Sequence, residues 1–337
     1  MKPTTCVVAL SAAALLLSAC AGGSAETSGD DPSGAATLRV ACAPAIEHLP
    51  RHLAGTEGMF AKAGVRPECV QVATGPEQSA ALLSGELDVA LMDPANLAPL
   101  LDKGQPLATF GMLRDRNYWD ILVREGYSLP HADEGWRGTM TDLADARIGV
   151  VARGAAGESV ARGLFAKAGV DPNSVTFIAT GLPTTTLAAL EADTIDAAFT
   201  FEPGITLAES QGIAEQPFSL QERTGPAELD YADLLMVTSR EHAASHRTEL
   251  CRFTTAWDRG LEYVHDPANR EAVDAAAASF FKLPQETARD LVNRNLPFLP
   301  DSTALRPEQV DPAFAFLAES GLAKKAYQTD AIAVEVC

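Results

Sequence analysis

Hydrophobic and polar positions along this chain fall into short strand-like and helix-like runs that alternate. Leu38-Arg39-Val40-Ala41-Cys42 alternates and is β-prone, which predicts a strand. Ile46 to Ala63 has helical character and stops at Gly64. Glu68 to Val72 predicts the next strand, Glu77 to Leu83 a helix ending near Gly85, Val89 to Met92 a short buried strand, and Asn96 to Asp102 a helix ending at Gly104. The series then starts again: strand Arg147–Val151, helix Ala156–Ala168, strand Val175–Ile178, helix Thr184–Leu190, strand Ala197–Thr200, helix Ile205–Gln211. Such βαβα alternation predicts an α/β protein with parallel, doubly wound sheets.

The two series are related in sequence. Phe-Ala-Lys-Ala-Gly-Val occurs at Phe60–Val65 and at Phe165–Val170. Ala73-Thr74-Gly75 answers to Ala179-Thr180-Gly181, Leu87-Asp88 to Ile195-Asp196, and Asp93-Pro94 to Glu202-Pro203, at an offset of 105 to 109 residues. One repetition at that distance predicts a duplicated α/β unit, hence two similar lobes with a cleft between them, a natural place for a small ligand. The strand-like runs 121–125 and 234–238 bracket the second unit and are expected as hinge strands. After residue 240 the chain reads as helices over Arg240–Val264, Pro267–Phe281, Pro284–Asn295 and Pro307–Ser320, several with Pro in the first turn. The expected lobes are therefore 37–120 plus 240–337, and 121–239 including the hinge strands.

The N-terminus changes the picture. Lys2 is followed by an Ala- and Leu-rich run from Val7 to Ala19 that is too short to span a bilayer and reads as a signal peptide, 1–19. It ends in Leu17-Ser18-Ala19-Cys20, similar to the lipobox of bacterial lipoproteins, in which the cysteine is acylated. Residues 20–36 are small and polar, as expected of a flexible tether. These features place the protein on the outer face of the cell membrane, held by a lipid on Cys20. The formal net charge of −19 argues against nucleic-acid binding, which needs a basic face. Of the six cysteines, Cys6 leaves with the leader and Cys20 takes lipid. The remaining four, in an exported protein, predict disulfides, with three connectivities open. Cys42 and Cys69 fall in expected neighbouring strands, which favours Cys42–Cys69 and leaves Cys251–Cys337.

A family resemblance rests on Leu38-Arg39-Val40, Glu57-Gly58-Met59-Phe60, Ala63-Gly64-Val65, Gly75, Leu83 to Ala90, Asp142 to Val150, Ala189-Leu190-Glu191-Ala192 and Glu202-Pro203. Over about 38–265 the chain resembles the substrate-binding lipoproteins of ABC importers, in the branch that takes up sulfonates, taurine, nitrate and thiamine precursors. The resemblance implies the type II periplasmic-binding-protein fold, two doubly wound α/β lobes joined by two hinge strands. It also implies a small-molecule solute, an ABC permease with its ATPase as partner, and a monomer. It is weak for the ligand.

Ligands of doubly wound sheets sit beyond the C-terminal strand ends, which marks the loops holding Glu47, Gly75, Asp93, Asn96, Arg153, Thr180 and Glu202 as candidates. Arg153, Gly154 and Ala155 form the best anion loop, with Arg153 a clamp for a sulfonate or carboxylate; a plain turn with a surface Arg is the alternative. Asp93 and Glu202 occupy equivalent positions and are expected to face one cleft, suiting an amine or heterocycle; a helix N-cap is the alternative for Asp93, and Glu202 is similar to a Glu that recurs in the family. Trp119, Phe201 and Tyr118 are candidates to stack on a planar ligand. Glu47, His48 and His52 include an i, i+4 histidine pair, but no third ligand follows at a recognisable distance, so no metal and no cofactor are expected. Arg114 and Arg116 read as a surface loop near the hinge. No Walker A, HExxH, GxSxG or paired CxxC motif is present. The expectation is a binding protein, not an enzyme. Two alternatives stay open: an enzyme on this fold resembling a desulfinase, with Cys42 as nucleophile, and a ligand-sensing lipoprotein without transport.

Overall fold

A computed structural model describes residues 35–72 and 74–337. The leader, Cys20 and the tether up to residue 34 lie outside the described residues.

The first series forms β1 (Ala36–Cys42), α1 (Leu49–Thr56), α2 (Met59–Ala63), β2 (Val65–Gln71), α3 (Gly75–Ser84), β3 (Ala90–Met92), α4 (Pro94–Asp102) and β4 (Leu107–Arg114). The second forms β5 (Asp120–Arg124), α5 (Trp136–Asp142), β6 (Arg147–Val150), α6 (Ala156–Lys167), β7 (Thr176–Ala179), α7 (Pro183–Glu191), β8 (Ala197–Thr200), α8 (Gly204–Gln211) and β9 (Ala214–Glu215). Then follow β10 (Leu234–Ser239), α9 (Arg240–Ser245), α10 (Arg247–His265), α11 (Arg270–Phe281), α12 (Gln285–Asn295), α13 (Pro307–Glu319) and α14 (Thr329–Ile332).

The duplication is plain in the sheets. A bridge between Val40 and Val89 joins β1 to the start of β3, so one sheet runs β2-β1-β3-β10-β4 and the other β7-β6-β8-β5-β9. Position by position the orders are the same. The sheets are mixed rather than wholly parallel. β10 lies antiparallel between β3 and β4, and β5 antiparallel between β8 and β9. The chain crosses between sheets at 115–119 and at 216–233. One salt bridge is copied as well. The Arg39 backbone N–H and guanidinium donate to Asp88 at 2.7 and 2.6 Å, and Arg147 treats Asp196 alike at 2.8 and 2.7 Å. Both acids stand just before the third strand of their unit, so each pair pins that strand to the first. The exposure of the arginines keeps the energy small, on the order of 1 kcal/mol or less; their work is register.

Several elements depart from the sequence expectation. The helix expected over 46–63 is a short 3-10 turn (Ile46–His48), α1 and α2, because Gly58 adopts φ +70° and breaks the run. The helix expected over 240–264 is broken at His246 between α9 and α10. β4 was not expected at all: Leu107–Arg114 is buried along its whole length, so it lacks the alternation that marks a half-buried strand. Both expected disulfides are present. Cys42–Cys69 joins the parallel neighbours β1 and β2 with Cα atoms 5.6 Å apart. Cys251–Cys337 ties the C-terminus to α10 at 4.9 Å.

The core around β1, α1 and α10 is aromatic: Phe253 stacks on Phe60 at 5.6 Å and meets Trp257 edge-on at 5.5 Å. A second core spans both sheets. There α6 approaches α4, and Gly163 lies against Phe316 of α13 so closely that a Cβ would sit 2.5 Å from the ring.

Candidate ligand-binding site

The C-terminal strand ends of both sheets converge on one cavity of about 50 Å³. Ala43, Ala45, Glu47 and His48 come from the segment after β1, Thr74, Gly75 and Gln78 from the start of α3, and Asp93 and Asn96 from the start of α4. The opposite wall is Val151, Ala155 and Ala156 after β6 and Phe201 after β8, with Tyr118 and Trp119 from the first crossing segment.

Asp93 is the centre of this arrangement. It stands at the N-terminus of α4, yet its side chain makes no capping bond. Its Oδ1 accepts from Trp119 Nε1 at 2.9 Å and its Oδ2 from Asn96 Nδ2 at 3.3 Å, and the Tyr118 hydroxyl bonds to it as well. Burial pushes its pKa up to about 7, against those hydrogen bonds and with a further push from Glu47. Asp233, buried just before β10, is raised too, by burial and by Asp93. Trp119 meets Phe201 edge-on at 5.4 Å and stacks with Tyr118 at 5.2 Å. It has room only because residue 157 is glycine, whose Cβ would lie 2.7 Å from the indole. Gly75 likewise admits the Asn96 amide against its backbone.

Behind the wall, Glu47 Oε1 accepts from Arg114 Nε at 2.7 Å, and both residues are almost wholly buried. Arg114 therefore lies inside at the end of β4, where the sequence had suggested a surface loop. Arg116 pairs with Asp115 at 3.0 Å and reaches the Gln221 carbonyl. His48 is buried on the lining, and burial lowers its pKa to about 3, helped by the nearby Arg51 charge. His52 instead packs at a tilt against Phe280, with ring centroids 4.8 Å apart. Among the described residues no group of three or more His, Cys, Asp or Glu is placed to hold a metal.

Glu47, His48, Gly75, Asp93, Asn96, Trp119, Ala155 and Phe201 line the cavity together. Arg153, Gly154, Thr180 and Glu202 are placed elsewhere. Arg153 donates to Glu158 at 2.9 and 3.1 Å and to the Phe177 carbonyl, and Glu158 also takes the Gly154 N–H at 2.8 Å. Thr180 bonds to the Val150 carbonyl and to Thr186. Glu202 is buried, but turned to its own helix: it accepts from Thr206 N and Oγ1, both at 2.9 Å, and from Asn295, with Arg294 at 3.6 Å. Of the lining residues that sequence reasoning missed, Ala43, Ala45, Thr74 and Val151 lie in the strand-end loops, whereas Gln78, Leu91 and Leu234 lie inside elements, where loop position gives no signal. Gln78 faces β3, where its Oε1 accepts from Leu91 N at 2.8 Å.

These buried acids set a pH dependence. Asp93 and Asp120 are both raised to about 7, chiefly by burial. Their folded pKa values exceed the unfolded value of about 3.9, so the stability they contribute is present in acid and lost as pH rises through about 7. Glu158 and Asp196, lowered below their usual range, act the other way and weaken the fold only in stronger acid. The unfolding free energy from urea titration is expected to be higher near pH 5 than near pH 8, by on the order of 1 kcal/mol or more, even after the opposing loss below about pH 6.5 from His48, which the fold holds neutral. A free energy that climbs steadily to pH 8 would show these acids to be ionised in the fold.

The comparisons agree with this architecture. The chain matches the NMT1/THI5 like family over residues 45–270 and belongs to it. The fold is the type II periplasmic-binding-protein fold. It is similar to the alkanesulfonate-binding protein SsuA from Xanthomonas axonopodis pv. citri bound to MOPS, at a TM-score of 0.72 and 18% identity over 89% of this chain and 98% of that one. The periplasmic nitrate-binding protein NrtA from Synechocystis PCC 6803 aligns at a TM-score of 0.65 and 15% identity, over 85% and 80% of the two chains. So does DszB in complex with biphenyl-2-sulfinic acid, at 0.61 and 15%, over 89% and 96%. No match was found among the curated proteins.

Proposed function

We propose that this chain is the solute-binding component of an ABC importer. It is exported, held on the outer face of the cell membrane by a lipid on Cys20, and acts as a monomer. It captures a small organic solute between its two lobes and delivers it to a membrane permease and its ATPase. The supporting observation is the cavity at which the strand ends of two matching sheets meet, walled by two buried carboxylates and three aromatic rings. A site shared by two lobes joined by crossing segments couples binding to hinge closure. The family and the similar binding proteins point the same way. No helix among the described residues is long and apolar enough to cross a membrane, which suits a body outside the bilayer with a separate anchor.

The test is small-angle scattering with and without a solute that binds; compaction is expected, and its absence sinks the reading. Gly163→Leu puts a side chain where α6 meets Phe316. It should hold the lobes apart, abolish the compaction and weaken binding by about tenfold or more; unchanged closure would show that this contact does not gate it.

The likeness to DszB keeps an enzyme as the second reading, with Cys42 as nucleophile. Cys42 Sγ is bonded to Cys69, and a disulfide sulfur is no thiolate. Thiol titration of the unreduced protein decides: a free Cys42 would reopen that reading.

A further inference from the structure

We infer that the cavity selects its solute through a primary ammonium group, held among Asp93, Glu47 and His48 with its carbon chain against Trp119 and Phe201. This rests on the receptor reading above and names its substrate class.

The unpartnered atoms come first. Glu47 Oε2 and His48 Nδ1 have no hydrogen-bond partner among the described residues, although Glu47 is only 2% exposed and His48 only 4%. Both residues line the cavity. Buried polar atoms are nearly always paired, so two orphans on one lining call for a ligand that completes them. His48, held neutral, has a lone pair to offer on one ring nitrogen. With Asp93, the lining holds three residues whose side chains can accept from an ammonium's N–H donors.

Charge gives the same sign. No Lys or Arg lines the cavity, whereas two carboxylates do. Arg114 stands behind the wall, engaged with Glu47 and the Phe298 carbonyl. Arg51 is off the lining, and its charge lowers the pKa of both His48 and His52. Two backbone donors at the helix starts around the cavity are taken by the chain's own acids: Glu77 accepts from the Thr74 N–H at 3.0 Å and Glu158 from the Gly154 N–H at 2.8 Å. An anion would therefore find two carboxylates and no Lys or Arg on the lining itself. The indole and the Phe201 ring offer the π faces that a cation favours. A space of about 50 Å³ is roughly a third of one that holds benzene, so it fits a head group of few atoms.

The test is calorimetric titration of the full-length protein with ethylammonium, ethanesulfonate and acetate, with scattering on the same samples. Ethylammonium should bind with a Kd on the order of 1 mM, near the ceiling for so few heavy atoms. It should bind at least about thirtyfold more tightly than either anion, and Asp93→Asn, checked for folding by thermal unfolding, should abolish the binding. If that variant does not fold, the wild-type ranking decides alone. An anion bound as tightly as ethylammonium, or no ethylammonium binding, overturns the inference. Ethanesulfonate binding with compaction would overturn it while leaving the receptor reading intact. Ethylammonium bound without compaction would uphold the ammonium site and count against the receptor reading instead.

Discussion

Replacing Arg114 by methionine is expected to destabilise the fold by about 3–5 kcal/mol, the cost of stranding a buried charge. Arg114 and Glu47 expose 1% and 2% of their side chains, so water cannot stand in for the lost partner. Asp93 and Asp233 are close enough to feel this region's charges, which leaves a buried acidic cluster with its cation removed. The same pair replaced on both sides, Glu47→Leu with Arg114→Met, should lose much less, because two apolar groups of similar bulk need no partner. Urea unfolding of the two variants checks this. A single variant that costs under about 1 kcal/mol would mean that the pair is solvated in solution.

The second large effect concerns the C-terminal disulfide. Cys251→Ser together with Cys337→Ser should cost about 4.5 kcal/mol in the chain-entropy account, since the bridge closes a loop of 86 residues in the unfolded chain. The Cys42–Cys69 bridge, spanning 27, should be worth about 1 kcal/mol less on the same account. Unfolding with and without reductant, and in the two double variants, separates the contributions. Equal losses from both would show that native-state contacts rather than loop length set the values.

Much of the fold was legible because it is written twice. The repeated Phe-Ala-Lys-Ala-Gly-Val marks the turn from α2 into β2 and from α6 towards β7, and the strand and helix series follows from it. What the pattern could not show was β4, which is buried along its whole length, and the antiparallel insertion of β5 and β10, which depends on strand partners far away in the sequence. At the site, Asp93 and Glu202 occupy equivalent positions and look interchangeable in sequence. One extra methylene separates their placements. The short Asp93 side chain stays at the cavity, whereas the longer Glu202 folds back onto the N–H and hydroxyl of Thr206. For Arg153 a signal did exist. Glu158 is the third residue of α6, a position from which a glutamate reaches back to the helix start, and here it takes both the Gly154 N–H and the Arg153 guanidinium. The pairing of Arg114 with Glu47 across 67 residues left no trace that spacing alone could reveal.

The matching strand orders have a consequence for how the chain assembles. Every strand of β7-β6-β8-β5-β9 comes from one continuous stretch, 120–215. The other sheet holds β3 and β4 apart for residues 234–239, which arrive only after that stretch has passed. As the chain emerges, the half written second can therefore close its sheet first, while the half written first waits with two unjoined edges for β10. Unpaired strand edges invite association with other chains. The vulnerable interval for this protein is thus the time between the appearance of β4 and the docking of β10, and its aggregation before folding is complete should depend on that interval more than on the stability of the finished fold.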